Sequence, residues 1–329
     1  MDISLILTCF IIGFVMIAGA GSNLNQAFGA PRWLGAVICT VLIIGVGMLD
    51  FNKVSKVIGS FTPLIVIFTL LASIYTFTNY KVDWQSLNQI AKSLPSNFDS
   101  LSLTVINYFG MCIMTAVSMA LVLGGDELNT AMAGIGGLLG GLLVGILGIL
   151  IVLTLFIRVD EVKSLDIPML YIIEDLSPVL GFLMALVIFG MIFNTGISLF
   201  YALARRFAGG DEKKFKTLLI GISLTGFILS FGGFKKLVSI FYPLIGYAGM
   251  IMLLVLVYAY YRERTSIKYE NVRRFAINHY MRKKLDDSME YSREDKDKLK
   301  KLIEKSHIDN KDLIEKSKEA VMEKIEEEN

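Results

Sequence analysis

Thr195 and Ser198 lie three residues apart near the middle of an apolar stretch, 178–204, and so share one face of a helix. Hydroxyl oxygens are hard ligands suited to a small cation. The competing use is local, because Ser and Thr inside helices also bond back to the carbonyl one turn earlier. Asn194 adds an amide beside them. A second polar group falls in the stretch 101–123: Asn107, Tyr108, Phe109, Gly110, Cys112 and Thr115. In an ordinary helix Asn107 and Thr115 would bond to neighbouring groups. Asn23, Asn25 and Gln26 close the first apolar stretch and read as meeting the water interface.

What the apolar stretches omit narrows the chemistry. No Asp, Glu, Lys, Arg or His falls near the middle of any of them, and Lys56 is close to an end. A proton-coupled carrier usually needs such a group. Both histidines, His279 and His307, belong to the C-terminal tail, so no metal constellation forms. Cys9, Cys39 and Cys112 lie in apolar stretches without partner spacing and read as reduced packing residues. Nothing resembles a nucleophile, a catalytic dyad or a nucleotide-binding loop. No enzyme, no organic cofactor and no nucleic-acid partner is expected.

The elements that must position these groups are membrane spans. The chain has 329 residues, 54% of them hydrophobic, and few charges before residue 262. Several apolar stretches exceed the roughly eighteen residues that cross a bilayer core. Eight spans are predicted, at about 3–24, 33–49, 54–78, 101–123, 132–157, 178–204, 216–233 and 236–261. Ala18-Gly19-Ala20 has the form of a signal-peptidase site, but the basic segment that precedes such sites is missing and the only early charge is Asp2, so no cleavage is expected. The loops 79–100 and 158–177 are longer than the rest. They hold amphipathic stretches, Trp84 to Leu94 and Ile167 to Leu176, which read as helices on the outer face. Ser177 and Pro178 read as the N-cap and first helical position of the sixth span.

Basic residues set the orientation. Arg205, Arg206, Lys213, Lys214 and Lys216 follow the sixth span, and Arg262, Arg264, Lys268, Arg273 and Arg274 follow the eighth. Eight spans put both groups on one side. That side is expected to be the cytoplasm, with both termini there and 79–100 and 158–177 outside. The 124–131 loop is also inside despite Asp126 and Glu127, since acidic residues carry little topological weight. The localisation implied is a cell membrane, with the lipid bilayer as surroundings.

Three segments are expected: transmembrane 1–261, a basic juxtamembrane segment 262–285 and a charged cytoplasmic tail 286–329. Residues 262–284 carry eight Lys/Arg against two Glu, and suit anionic headgroups. Residues 286–329 carry ten Lys/Arg against fifteen Asp/Glu. Ser292 and Asp295 open a capping box, with Leu299, Leu302 and Ile303 following at helical spacing. Asp309 caps a second predicted helix striped by Leu313, Ile314, Ser317, Val321 and Ile325. The tail reads as a helical hairpin with solvated charges. In the fifth span Gly137, Gly141, Gly145 and Gly148 share a face that would let another helix approach closely; a ligand-lined face is the alternative.

Two internal echoes organise the spans. Lys56-Val57-Ile58, Phe61 and Pro63-Leu64-Ile65 match Lys236-Leu237-Val238, Phe241 and Pro243-Leu244-Ile245 without a gap, at an offset of 180. Gly13 and Gly19 match Gly190 and Gly196 at an offset of 177. Proline is rare inside helices, so the matched prolines read as a shared kink. Each echo pairs spans five apart. An odd separation places the copies in opposite orientation, as in the inverted repeats of secondary transporters.

The chain resembles the five-plus-five inverted-repeat transporters of the amino acid–polyamine–organocation superfamily, the LeuT fold, and within it the YkvI-type bacterial membrane proteins. The residues carrying the resemblance are Ala18-Gly19-Ala20-Gly21 with Phe28-Gly29, Trp33-Leu34-Gly35, Gly136-Gly137 with Gly140-Gly141, and Ile167-Pro168-Met169-Leu170. It covers about residues 3–261. Numbered as that fold, the eight spans resemble helices three to ten. The family's first two helices have no counterpart here, so the first repeat is expected to be incomplete: either a longer chain or another subunit supplies them, or the protein does not transport.

The resemblance implies a secondary transporter of a small organic solute, such as an amino acid, by alternating access. It implies a break in the stretch 101–123 near Gly110, with Asn107, Tyr108, Phe109, Gly110 and Thr115 lining the substrate site. The ordinary helix remains the alternative. The family commonly has an asparagine near the position of Cys112 or Ile113, which this sequence lacks. In sodium-coupled relatives the helix matching 178–204 offers hydroxyls to sodium, which nominates Thr195 and Ser198. A membrane sensor or scaffold whose tail recruits partners is the competing reading.

Overall fold

A computed structural model describes residues 2–49, 61–126, 130–286, 289–306 and 310–328. The described residues form thirteen helices and no strand. They are α1 (Asp2–Phe28), α2 (Arg32–Gly47), α3 (Phe61–Asn79), α4 (Trp84–Lys92), α5 (Leu101–Asp126), α6 (Thr130–Ile157), α7 (Val159–Val162), α8 (Pro168–Leu176), α9 (Pro178–Ala208), α10 (Glu212–Ser230), α11 (Phe234–Leu285), α12 (Arg293–Glu304) and α13 (Asn310–Glu328). Lys56, Val57 and Ile58 of the first echo, the residues Glu127 and Asp309, and the start of the third predicted span lie outside the described residues.

Among the described residues, five helical segments are long and apolar enough to cross a membrane: Ser4–Phe28, Thr62–Asn79, Gly134–Ile157, Pro178–Ala208 and Phe234–Leu285. Arg32–Gly47 and Leu101–Val117 are shorter apolar helices. The seventh predicted span corresponds to α10, whose first turns carry Glu212, Lys213, Lys214 and Lys216 and so shorten its apolar run.

Local chemistry sets several boundaries. Asp83 caps α4 by accepting from the amides of Gln85 and Ser86, and Asp211 caps α10 through Lys213 and Lys214. These side chains satisfy amides that a helix start leaves without partners. Gly209 ends α9 at φ 57°, a left-handed conformation that favours glycine. Pro178 opens α9, and Ser177 stands at the N-cap without a side-chain bond. Helices α4 and α8 occupy the two amphipathic stretches predicted from the sequence.

The chain divides into two compact units. The first comprises residues 1–115 and 142–252. Its main core joins Ile17 and Ala20 of α1, Cys39 and Ile43 of α2, Ile197 and Phe200 of α9, and Phe215 and Leu219 of α10. A second core joins Phe68 and Ala72 of α3, Leu170 and Ile173 of α8, and Met184 and Ala185 of α9. Thr154 of α6 donates to the Ser73 hydroxyl of α3 at 2.9 Å, while Trp84 of α4 stacks on Phe156.

The second unit comprises residues 116–141 and 253–329. Helix α11 continues through the basic segment to Leu285 without interruption. Its Ile277 and Met281 pack with Leu299 and Ile303 of α12 and Leu313 and Val321 of α13. Ser292 and Asp295 complete the capping box on α12. Glu270 is buried and held by Arg273, Arg274 and Ser306, so part of the basic segment neutralises an acid inside this core.

Candidate functional site

Helix α5 is continuous through Gly110, so the ordinary helix, and not the break, is what forms. Asn107 is buried, and its Nδ2 donates to the carbonyl of Pro243 in α11 at 3.0 Å. Gly110 lies on the same face one turn later. A methyl group built on Gly249 would overlap the Gly110 carbonyl oxygen, and one built on Gly246 would overlap Asn107. The two helices therefore cross backbone to backbone. Glycine permits this approach, which is a common device between apolar helices. Tyr108 and Phe109 are exposed, and Thr115 is exposed and bonds back to the Cys112 carbonyl at 2.9 Å. The five nominated residues are thus divided: Asn107 and Gly110 serve the crossing, while the other three look outward. Helix α11 covers the Asn107 side chain.

Thr195 bonds back to the Met191 carbonyl at 2.9 Å and is exposed, while Ser198 is half-buried. The Oδ1 of Asn194 is buried without a hydrogen-bond donor among the described residues. A buried amide oxygen without a partner is costly, at about 1–3 kcal/mol. It is also the kind of hard ligand that a dehydrated cation needs.

The polar end of α1 does more than meet an interface. Asn23 is 0% exposed, and its Nδ2 donates to the Ala185 carbonyl of α9 at 2.8 Å. Gln26 bonds both backbone groups of Ile167, at 2.7 Å and 2.9 Å. Ser22 donates to Asp166, which also pairs with Arg32 at 3.0 Å. Asn25 turns back to the Ala30 carbonyl. Lys235 reaches the Ser164 carbonyl at 2.8 Å. Three helices thus hold the 158–167 segment in place.

Arg158 completes this layer. It is 1% exposed at the end of α6, and its guanidinium binds both carboxylate oxygens of Glu161 and, at 2.9 Å, Asp175. The rings of Tyr80 and Tyr171 lie 4.3 Å and 5.5 Å from it. Tyr80 also donates to Asp175 at 3.1 Å. Burial pushes the Tyr80 hydroxyl up to about 12, so it stays protonated and able to donate. Partial burial raises Asp175, but the bonds from Arg158 and the tyrosines outweigh it and hold the carboxyl below its ordinary value. Sequence reading missed this cluster. Arg158, Asp175 and Tyr80 lie in three separate segments, and no spacing rule joins them.

Two looser contacts relate α1 and α9. Built as alanines, Gly19 would meet Phe234 of α11 at 3.3 Å before Ile192 of α9 at 3.6 Å, and Gly196 would meet Ile43 of α2 at 3.0 Å before Met16 of α1 at 3.8 Å. Gly13 abuts Phe200 and Asn23 bonds Ala185, so the helices run antiparallel.

No family model matches the chain, and no solved structure matches it. A Bacillus subtilis protein described as the uncharacterized membrane protein YkvI is 25% identical over 236 residues. The match covers 72% of this chain and 66% of that protein. With five segments long and apolar enough to span a bilayer, the chain is a multi-pass helical membrane protein, similar in sequence to that relative.

Proposed function

We propose that the chain is a secondary transporter for a small organic solute, an amino acid or similar zwitterion, working by alternating access with sodium as coupling ion. The observation that carries this reading is the antiparallel pairing of α1 and α9, the two helices that share the glycine echo. An inverted repeat would carry Gly19 to Gly196 by a two-fold rotation. The same offset of 177 carries Met16 to Phe193, next to the Ile192 that Gly19 meets. This is the relation expected between equivalent helices of an inverted, LeuT-like repeat. Apolar spans without mid-span charges suit a neutral or zwitterionic solute and give a proton no relay. Asn194, with Thr195 and Ser198, supplies oxygens for sodium. Asn107 and Gly110 set the α5–α11 crossing behind the solute path, with Tyr108, Phe109 and Thr115 on its open side.

The glycine face of α6 bears on partners. Methyl groups built at Gly137, Gly141, Gly145 and Gly148 would meet no described atom within 4 Å. In this reading a helix of another subunit covers that face. A sensor or scaffold is the second reading, and the separate hydrophobic core of the tail favours it. Thermal melting of purified protein against an amino-acid panel, with sodium or potassium, separates the two. A transporter gains stability from one solute class, more in sodium; a scaffold responds to none.

A further inference from the structure

The first turns of α10 bear a shallow, open depression lined by Lys213, Lys214, Thr217 and Leu218. Both acids beside it are already engaged. Asp211 accepts from the backbone amides of Lys213 and Lys214 as the cap of α10, and Glu212 pairs with Arg205, whose guanidinium lies 3.9 Å from the Phe215 ring. The Lys213 and Lys214 ammoniums are exposed, and no ion pair joins them among the described residues. The charges of Lys213 and Lys214 are therefore left to the depression.

The rest of the helix face is apolar. Positions 213, 217, 221, 224 and 228 recur at helical spacing and so line one face. A methyl group at Gly221 would meet nothing within 4 Å, and Leu224 and Ile228 are 47% and 68% exposed. A cationic head thus stands at one end of an open hydrocarbon-facing strip, on a helix whose neighbours span the membrane. A soluble anion would use only the head. A lipid with an anionic phosphate uses both.

We propose that this face binds one anionic phospholipid, with its phosphate against Lys213 and Lys214 and an acyl chain along Gly221, Leu224 and Ile228. The ammonium groups act as point charges on the phosphate oxygens. Arg205 is kept out of the contact by its ring and its carboxylate. Bilayer anionic charge attracts nearby lysines generally, but here two lysines stand at the head of an open apolar strip that fits one chain. The inference does not depend on transport.

The test uses full-length protein in neutral detergent, titrated with phosphatidylglycerol, phosphatidylcholine or glycerol phosphate and followed by thermal melting. Phosphatidylglycerol should raise the melting temperature where the other two do not. In the double variant Lys213→Gln/Lys214→Gln the lipid concentration needed should rise about thirtyfold, the worth of two charge contacts. The double variant Lys81→Gln/Lys92→Gln should respond as the wild type. Native mass spectrometry gives a second readout, with one retained phosphatidylglycerol on wild-type protein and none on the Lys213/Lys214 variant. An unchanged response or unchanged retention in that variant overturns the proposal. So does an equal effect of phosphatidylcholine, or of glycerol phosphate, which would need only the lysine head.

Discussion

Asn107 donates its side-chain amide to the backbone carbonyl of Pro243 at 3.0 Å, across 136 positions of sequence. The bond marks the crossing where Gly110 packs on Gly246 and Gly249. Replacing Gly249 with alanine forces a methyl group into the Gly110 carbonyl. Overpacking of this kind costs about 1–3 kcal/mol. Gly249→Ala should lower the melting temperature in detergent, whereas Gly45→Ala, where a methyl meets nothing within 4 Å, should not. Equal behaviour of the two variants would show that the two backbones do not meet at this crossing.

Arg158→Gln should be a strongly destabilising change. It leaves Glu161 and Asp175 without their cation, although both carboxylates are about one-third exposed and recover some hydration. A loss of about 2–3 kcal/mol is expected, the range for hydrogen bonds to charged groups. Chemical denaturation in mild detergent measures it, and a loss under about 0.5 kcal/mol, typical of an ordinary surface change, contradicts the clamp.

The same cluster sets an acid dependence. Asp175 titrates below its unfolded value in the folded protein. Its contribution is therefore complete above the unfolded value, near pH 4, and is lost as pH falls through the folded value. Wild-type stability should drop more steeply below about pH 4 than that of Asp175→Asn. Parallel curves for the two proteins would show that Asp175 is not stabilised by Arg158.

The helices were legible in the sequence because apolar length and amphipathic period are local properties. The short helices at Trp84 and Pro168 and the Ser292 capping box all follow from residues within one or two turns. What joins the helices was not legible. Gln26 finds Ile167 at a separation of 141, and Asn23 finds Ala185 at 162, so their periodicity shows only that they end a helix. Gly110 looked like a point of weakness because glycine lowers helix propensity. Its partner glycines on α11 turn that weakness into a close contact, visible only once both helices are in place.

Orientation is open to direct measurement. The distribution of lysines and arginines leads us to expect 205–216 and both termini in the cytoplasm, and 79–100 and 158–177 outside. Single cysteines at Lys92 and Lys214 of a cysteine-free protein, treated with an impermeant thiol reagent on intact cells, should label only at position 92. Labelling at 214 from outside would invert the topology.

Under the proposed function the chain moves a small solute coupled to sodium, with Asn194, Thr195 and Ser198 as the ion's oxygens. Proteoliposomes of purified protein are supplied with labelled amino acids under an inward sodium gradient. Accumulation should exceed that in protein-free vesicles and collapse when the gradient is removed. The folded Thr195→Ala/Ser198→Ala variant should lose the sodium dependence. Uptake no greater than in protein-free vesicles for every amino acid, with the protein folded and inserted, would contradict the proposed function.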